Sequence, residues 1–90
     1  MIVAGPGVTA KGKSSSRIVE FLDLYPTLTA LAAVRPPDGL QGRSLAPLLK
    51  NPDAKWDHPA VTQVRRGPAA SAYMGYSVRT ERWRYTEWDD

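Results

Sequence analysis

Arg65-Arg66-Gly67 is the pair of residues best suited to hold an anion. Two guanidiniums on an adaptable connection can each offer a planar fork of N–H donors to a sulfate or carboxylate. Gln63 stands two residues before Arg65 on the same segment. Gln63 and Arg66 are therefore the candidate substrate-binding residues. A solvated pair of loop arginines is the bland alternative. His58 follows Asp57, and a histidine beside a carboxylate can act as a general base. Side chains adjacent in a loop usually diverge, however, and no nucleophile stands beside this pair. Ser14, Ser15 and Ser16 lack the Gly-x-Ser-x-Gly turn of an activated serine. Gly5-Pro6-Gly7 lacks the spacing of a phosphate loop, and its proline removes a donor such a loop needs. Arg79, Arg82 and Arg84 alternate with Tyr76, Trp83, Tyr85 and Trp88. That interleaving can stack nucleic-acid bases. The RNP-type motif of an RNA-binding sheet is absent, so the pattern describes a packed sheet whose arginines lie on aromatic rings. No residue emerges as catalytic, and none as a metal ligand.

Composition narrows the chemistry further. Ninety residues make one small unit. An apolar share of 42% is ordinary for a folded chain. There is no cysteine, so a disulfide framework, a thiolate metal site and a cysteine nucleophile are excluded. A single histidine cannot by itself build a zinc site. The formal charge of +3 is spread among acids, which argues for a solvated surface rather than a nucleic-acid groove. No apolar run reaches the ~20 residues of a membrane span. The first residues lack the basic start of a signal peptide, and compartment stays unassigned.

The elements that must position these groups are short, because eight prolines and seven glycines interrupt the chain. Residues 1–4 are apolar up to Gly5 and read as a buried strand of a covered sheet. Residues 17–22 read as a second strand. A helix is expected from Asp23, as N-cap, to about Val34, with Pro26 in its first turn and Leu24, Leu28 and Leu31 on one face. Ser44 is expected to cap a short helix over 45–50. Residues 60–64 alternate as a strand, and 65–73 read as a loop. The segment 74–88 reads as a hairpin pairing 76–80 with 83–88. Glu81-Arg82 is a poor two-residue turn, so a longer connection is expected.

Four stretches carry a resemblance. Met74-Gly75-Tyr76-Ser77-Val78-Arg79-Thr80 with Arg84-Tyr85-Thr86-Glu87-Trp88 resembles the C-terminal hairpin of sulfatases of the iduronate-2-sulfatase type, in the alkaline phosphatase superfamily. Asp23-Leu24-Tyr25-Pro26-Thr27-Leu28 resembles that family's Asp-Leu-x-Pro-Thr-Leu helix start. Gly42-Arg43-Ser44-Leu45-Ala46-Pro47-Leu48-Leu49 resembles its Gly-x-Ser-Leu-x-Pro-Leu-Leu segment. Met1 to Gly7 resembles the strand after its last metal ligands.

The resemblance implies an α/β fold: the C-terminal portion of an alkaline-phosphatase-like sulfatase, with short helices and an antiparallel C-terminal sheet. It implies that residues 1–50 end the large α/β domain and that 51–90 build part of the small sheet subdomain. It implies a sulfuric ester hydrolase acting on sulfated sugars or similar esters. Such enzymes use a formylglycine, made from a Cys-x-Pro-Ser-Arg motif, and a bound calcium. This chain has neither that motif nor the ligands, so the expectation is a segment inactive alone, with the rest of the sulfatase fold as its partner. A non-catalytic module derived from a sulfatase and a fragment of a related phosphoesterase are the alternatives.

Overall fold

A computed structural model describes residues 1–89. Residues 1–20 are extended or turned and carry no paired strand. Gly5 and Gly7 adopt φ of 137° and 90°, and the Val8 N–H donates to Gly5 O at 3.2 Å. The chain then docks on the body, with the Thr9 and Ala10 N–H groups both donating to Leu49 O, at 3.2 and 3.0 Å. The strands expected over 1–4 and 17–22 are thus absent among the described residues. The physical reason is pairing. A strand satisfies its N–H and C=O groups on a neighbour, and neither stretch has one here.

A 3-10 turn at Phe21–Asp23 leads into α1, Leu24–Leu31. Pro26 lies in the first turn of α1, where no N–H is missed. Asp23 is not the side-chain cap expected of it, because the chain already turns one step earlier. Its carboxylate instead accepts the N–H of Glu20 at 2.9 Å and of Arg43 at 2.8 Å. The helix stops before Val34. Ala33 takes the left-handed conformation, φ 54°, and the Val34 N–H reaches back to Thr29 O at 2.9 Å. That is a Schellman closure, formed here on an alanine where glycine is the usual residue.

The second helix, α2, is Ala46–Lys50. It starts one residue later than expected, with Leu45 rather than Ser44 at its N-cap and no side-chain cap; Ser44, just before it, accepts the Ala46 N–H on Oγ at 3.2 Å. A buried polar network binds the two helices. Thr27 Oγ1 donates to Asp23 O at 2.5 Å and accepts the Leu45 N–H at 2.8 Å. Asp23 and Thr27 are 5% and 3% exposed, on a par with the core leucines Leu45 and Leu48. Gly42 makes the approach possible: a Cβ there would lie 1.8 Å from Leu22 O.

Three antiparallel strands complete the chain: β1 Ala60–Arg66, β2 Tyr73–Arg79 and β3 Arg84–Asp89, in the order β1-β2-β3. The expected hairpin is β2-β3, and β1 flanks it. The four-residue connection between β2 and β3 closes with the Thr80 N–H donating to Trp83 O at 2.8 Å. The expected loop over 65–73 is shorter than the sequence suggests. Arg66 still pairs with Tyr73, and Gly67, φ 89°, starts the reversal.

The connecting segments are held by one arginine. Arg17 Nε donates to Ala54 O at 2.9 Å, Nη2 to Asp53 O at 2.8 Å, and Nη1 pairs with Glu81 at 2.8 Å. The Trp56 indole N–H donates to Ile18 O at 2.8 Å, and Glu20 Oε2 accepts the Val61 N–H at 2.8 Å. These bonds tie residues 17–20 to residues 53–56, to the start of β1 and to the β2-β3 connection.

The accessible surface is 7104 Å². A compact monomer of 9.9 kDa exposes about 5,200 Å². The radius of gyration is 16.0 Å, against about 12 Å for a compact domain of this length. Ile2, Phe21, Leu28, Val61, Trp83 and Tyr85 are all more than half exposed.

Candidate functional site

The register sorts the sheet into two faces, because directly opposed residues share a side. One face carries Val61, Gln63 and Arg65 of β1, Met74, Tyr76 and Val78 of β2, and Tyr85, Glu87 and Asp89 of β3. The other carries Val64 and Arg66, then Tyr73, Gly75, Ser77 and Arg79, then Arg84, Thr86 and Trp88. Gln63 and Arg66 therefore project from opposite faces of β1. The structure does not bring the two candidates together, and strand alternation alone is the reason.

Arg66 sits in a built cluster. Its Cζ lies 5.6 Å from the centroid of the Trp88 ring. Tyr73 meets the same ring edge-on, with centroids 5.6 Å apart and planes at 70°. Gly75 is buried opposite Trp88 in the register, and a Cβ there would lie 2.4 Å from the indole Cζ3. The glycine lets the indole lie on β2, and the indole carries the guanidinium. A guanidinium stacked on a ring keeps its in-plane N–H donors for an anion. Gln63 stands between Val61 and Arg65 and opposite Tyr76, with no such support.

Several of the remaining chemistry-bearing residues have structural partners. Asp57 pairs with Lys55 at 3.7 Å rather than with His58. The His58 ring packs edge-on to Trp56, centroids 4.9 Å apart. Ser15 Oγ donates to Pro52 O at 2.6 Å and accepts the Arg17 N–H at 3.2 Å. Arg82 lies over Trp83, 5.3 Å from its centroid. Sequence reading missed Arg17, whose partners are 36 to 64 positions away and leave no local signal.

No three of the His, Asp and Glu side chains stand together as a metal site among the described residues. The chain has no cysteine to convert. No helix among the described residues is long and apolar enough to cross a membrane.

Arylsulfatase K of Gallus gallus is 33% identical over 101 aligned residues, which cover all of this chain and 18% of that protein. The human arylsulfatase K is 31% identical over 97, covering the whole chain and 18% of that protein. An ulvan-active sulfatase of Formosa agariphila is 30% identical over 88, covering 93% of the chain and 17% of that protein. The chain thus spans less than a fifth of the length of these relatives. No solved structure gives a significant match. The model of the family described as N-sulphoglucosamine sulphohydrolase, C-terminal, matches residues 1–89. With helix starts, Gly42 approach and aromatic hairpin all inside that match, the chain belongs to this family of sulfatase C-terminal regions.

Proposed function

We propose that this chain serves as the C-terminal part of a sulfuric ester hydrolase acting on sulfated sugars, and that it is inactive alone. The observation that carries the reading is the family match across residues 1–89 on a chain that spans under a fifth of its relatives. On this reading, residues 1–50 complete the large α/β domain and 51–90 form part of a small sheet. The apolar side chains left exposed, Ile2, Phe21, Leu28 and Val61 among them, are the surface on which the rest of the sulfatase fold packs. The excess over a compact monomer, roughly 1,900 Å², is more than twice the ~800 Å² each partner contributes to an ordinary specific interface. The formylglycine and calcium belong to that other part.

The activity claim is tested with an aryl sulfate and calcium. The purified chain turns over no more substrate than its heat-treated control. Turnover above that control refutes the reading.

Arg66 is the residue of this chain best placed to contact substrate. Its guanidinium is pre-positioned on Trp88, so less side-chain freedom is lost when it binds a sulfate or carboxylate. Gln63, on the opposite face, serves the same pocket only if the sheet edge rather than one face lines it. Arg66→Ala in a full-length homologue is expected to raise KM for a sulfated sugar about tenfold, as loss of one charge-assisted contact does. An unchanged KM removes Arg66 from the site.

A further inference from the structure

Of the aspartates among the described residues, Asp38 is the one followed by glycine. An aspartate side chain can be attacked by the backbone nitrogen of the next residue. What holds that nitrogen and the carboxylate decides which aspartate reacts. At Asp23 both are held. Its carboxylate accepts the Glu20 and Arg43 N–H groups at 2.9 and 2.8 Å, and the Leu24 N–H donates to Phe21 O. After Asp53, the Ala54 N–H donates to Asn51 O at 3.0 Å. Asp57 pairs with Lys55 at 3.7 Å, and behind it stands His58, whose ring packs on Trp56. Asp89 lies in β3 opposite Met74, where the ladder fixes the backbone. The chain's single asparagine, Asn51, precedes Pro52, whose nitrogen carries no hydrogen. These restraints are internal to the chain and stand whatever else packs on it. Asp38-Gly39 differs. The two residues form a turn in the α1-α2 connection, and Gly39 has φ 85°. Without a Cβ, glycine reaches the backbone shapes that a ring closure demands, and nothing on its own Cα shields its nitrogen. Asp38 meets Arg35 at 3.8 Å with both side chains exposed, a contact of little strength.

We propose that Asp38-Gly39 is a site of isoaspartate formation, a covalent modification that the chain undergoes by itself. The Gly39 backbone nitrogen forms a bond to Asp38 Cγ and loses its proton. A carboxyl oxygen leaves as water, which closes a cyclic imide. Water then adds to the main-chain carbonyl carbon of Asp38 and breaks its bond to the Gly39 nitrogen. The α-carboxylate of Asp38 is freed, and the chain runs on through Cβ and Cγ. One water leaves and one enters, so the mass is unchanged and nothing is oxidised or reduced. The backbone gains a carbon shortly before Gly42, whose close approach to Leu22 O precedes the Arg43 and Leu45 N–H bonds to Asp23 and Thr27. The new linkage therefore lengthens the span between the closed end of α1 and the Gly42 contact. Its free α-carboxylate makes the site a substrate for an S-adenosylmethionine-dependent isoaspartyl carboxyl methyltransferase. None of this depends on the sulfatase reading or on the role given to Arg66.

The test reads a covalent mark on a peptide, so it is valid for a monomer, an associated chain or an unfolded one. The 90-residue chain is aged at neutral pH, in buffer and in urea, and then labelled by such a methyltransferase with a radioactive methyl donor. Proteolysis and electron-transfer fragmentation place the label. In buffer, the label is expected at Asp38 well ahead of Asp23, Asp53, Asp57 and Asp89. In urea Asp38 still labels, and the share at Asp23 and Asp53 rises, because the bonds that restrain them are gone. Asp38→Glu is expected to remove the label from that position, since the larger ring closes far more slowly. Gly39→Val is expected to lower it several-fold, in buffer and in urea alike, because a branched side chain crowds the attacking nitrogen. An Asp38 position that stays unlabelled while a synthetic peptide of residues 34–42 is labelled would overturn the proposal. So would equal label at Asp53 or Asp57 in buffer, or a Gly39→Val chain that labels as fast as the parent.

Discussion

Gly42→Ala is expected to leave most of this chain unfolded at 25 °C. An ideal Cβ at residue 42 would sit 1.8 Å from Leu22 O, 2.2 Å from Leu22 C and 2.8 Å from Asp23 N. All three are backbone atoms, so no side chain can rotate away. The segment must back off, and Arg43 moves with it. Its N–H then leaves the buried Asp23 carboxylate. Leu45, two residues on, loses register with Thr27. Overpacking costs about 1 to 3 kcal/mol, and each buried group left unsatisfied costs a similar amount. A total of about 3 kcal/mol or more is expected, a large part of the stability of any small domain. Loss of far-UV circular dichroism at 25 °C checks it. A variant with the parent's urea midpoint would show that 42–45 does not pack on 22–27.

The same region shows what the sequence did and did not reveal. Pro26 in a first turn, the short helix after Ser44 and the β2-β3 hairpin were legible, because each depends on neighbours a few residues apart. The role of Asp23 was not. Its type and place suit an N-cap, but it serves Arg43, twenty positions on. Gly42 stands in the sequence only as the first residue of a motif, and the approach of Leu22 explains it. Residues 1–4 were read as a strand from apolar character alone, while a strand also requires a paired neighbour. Arg66 stands out in the sequence by its residue type alone, while its support by Trp88 and Gly75 requires the register. Its separation from Gln63 was open to the period-two rule and was overlooked.

The second large effect concerns the chain as a whole. Its helices share a small core of Leu45 and Leu48 with the Asp23-Thr27 network. The sheet adds little more, since β1 and β3 are exposed along nearly their whole length. Ile2, at 97% exposed, and Phe21, at 85%, gain almost nothing from folding here. Burying such a side chain is worth roughly 1.5 to 3 kcal/mol, so several left outside remove most of the margin of a native domain. The outer edge of β3 also offers unpaired backbone groups to another copy. The isolated chain is therefore expected to be marginal in stability or to self-associate.

Urea unfolding of the purified chain, repeated across a range of protein concentrations, tests most directly whether these residues need the rest of a sulfatase. The account predicts an extrapolated stability below about 5 kcal/mol, the lower end for native domains, or a transition that moves with concentration. A monomer with one cooperative, concentration-independent transition above about 5 kcal/mol would contradict it.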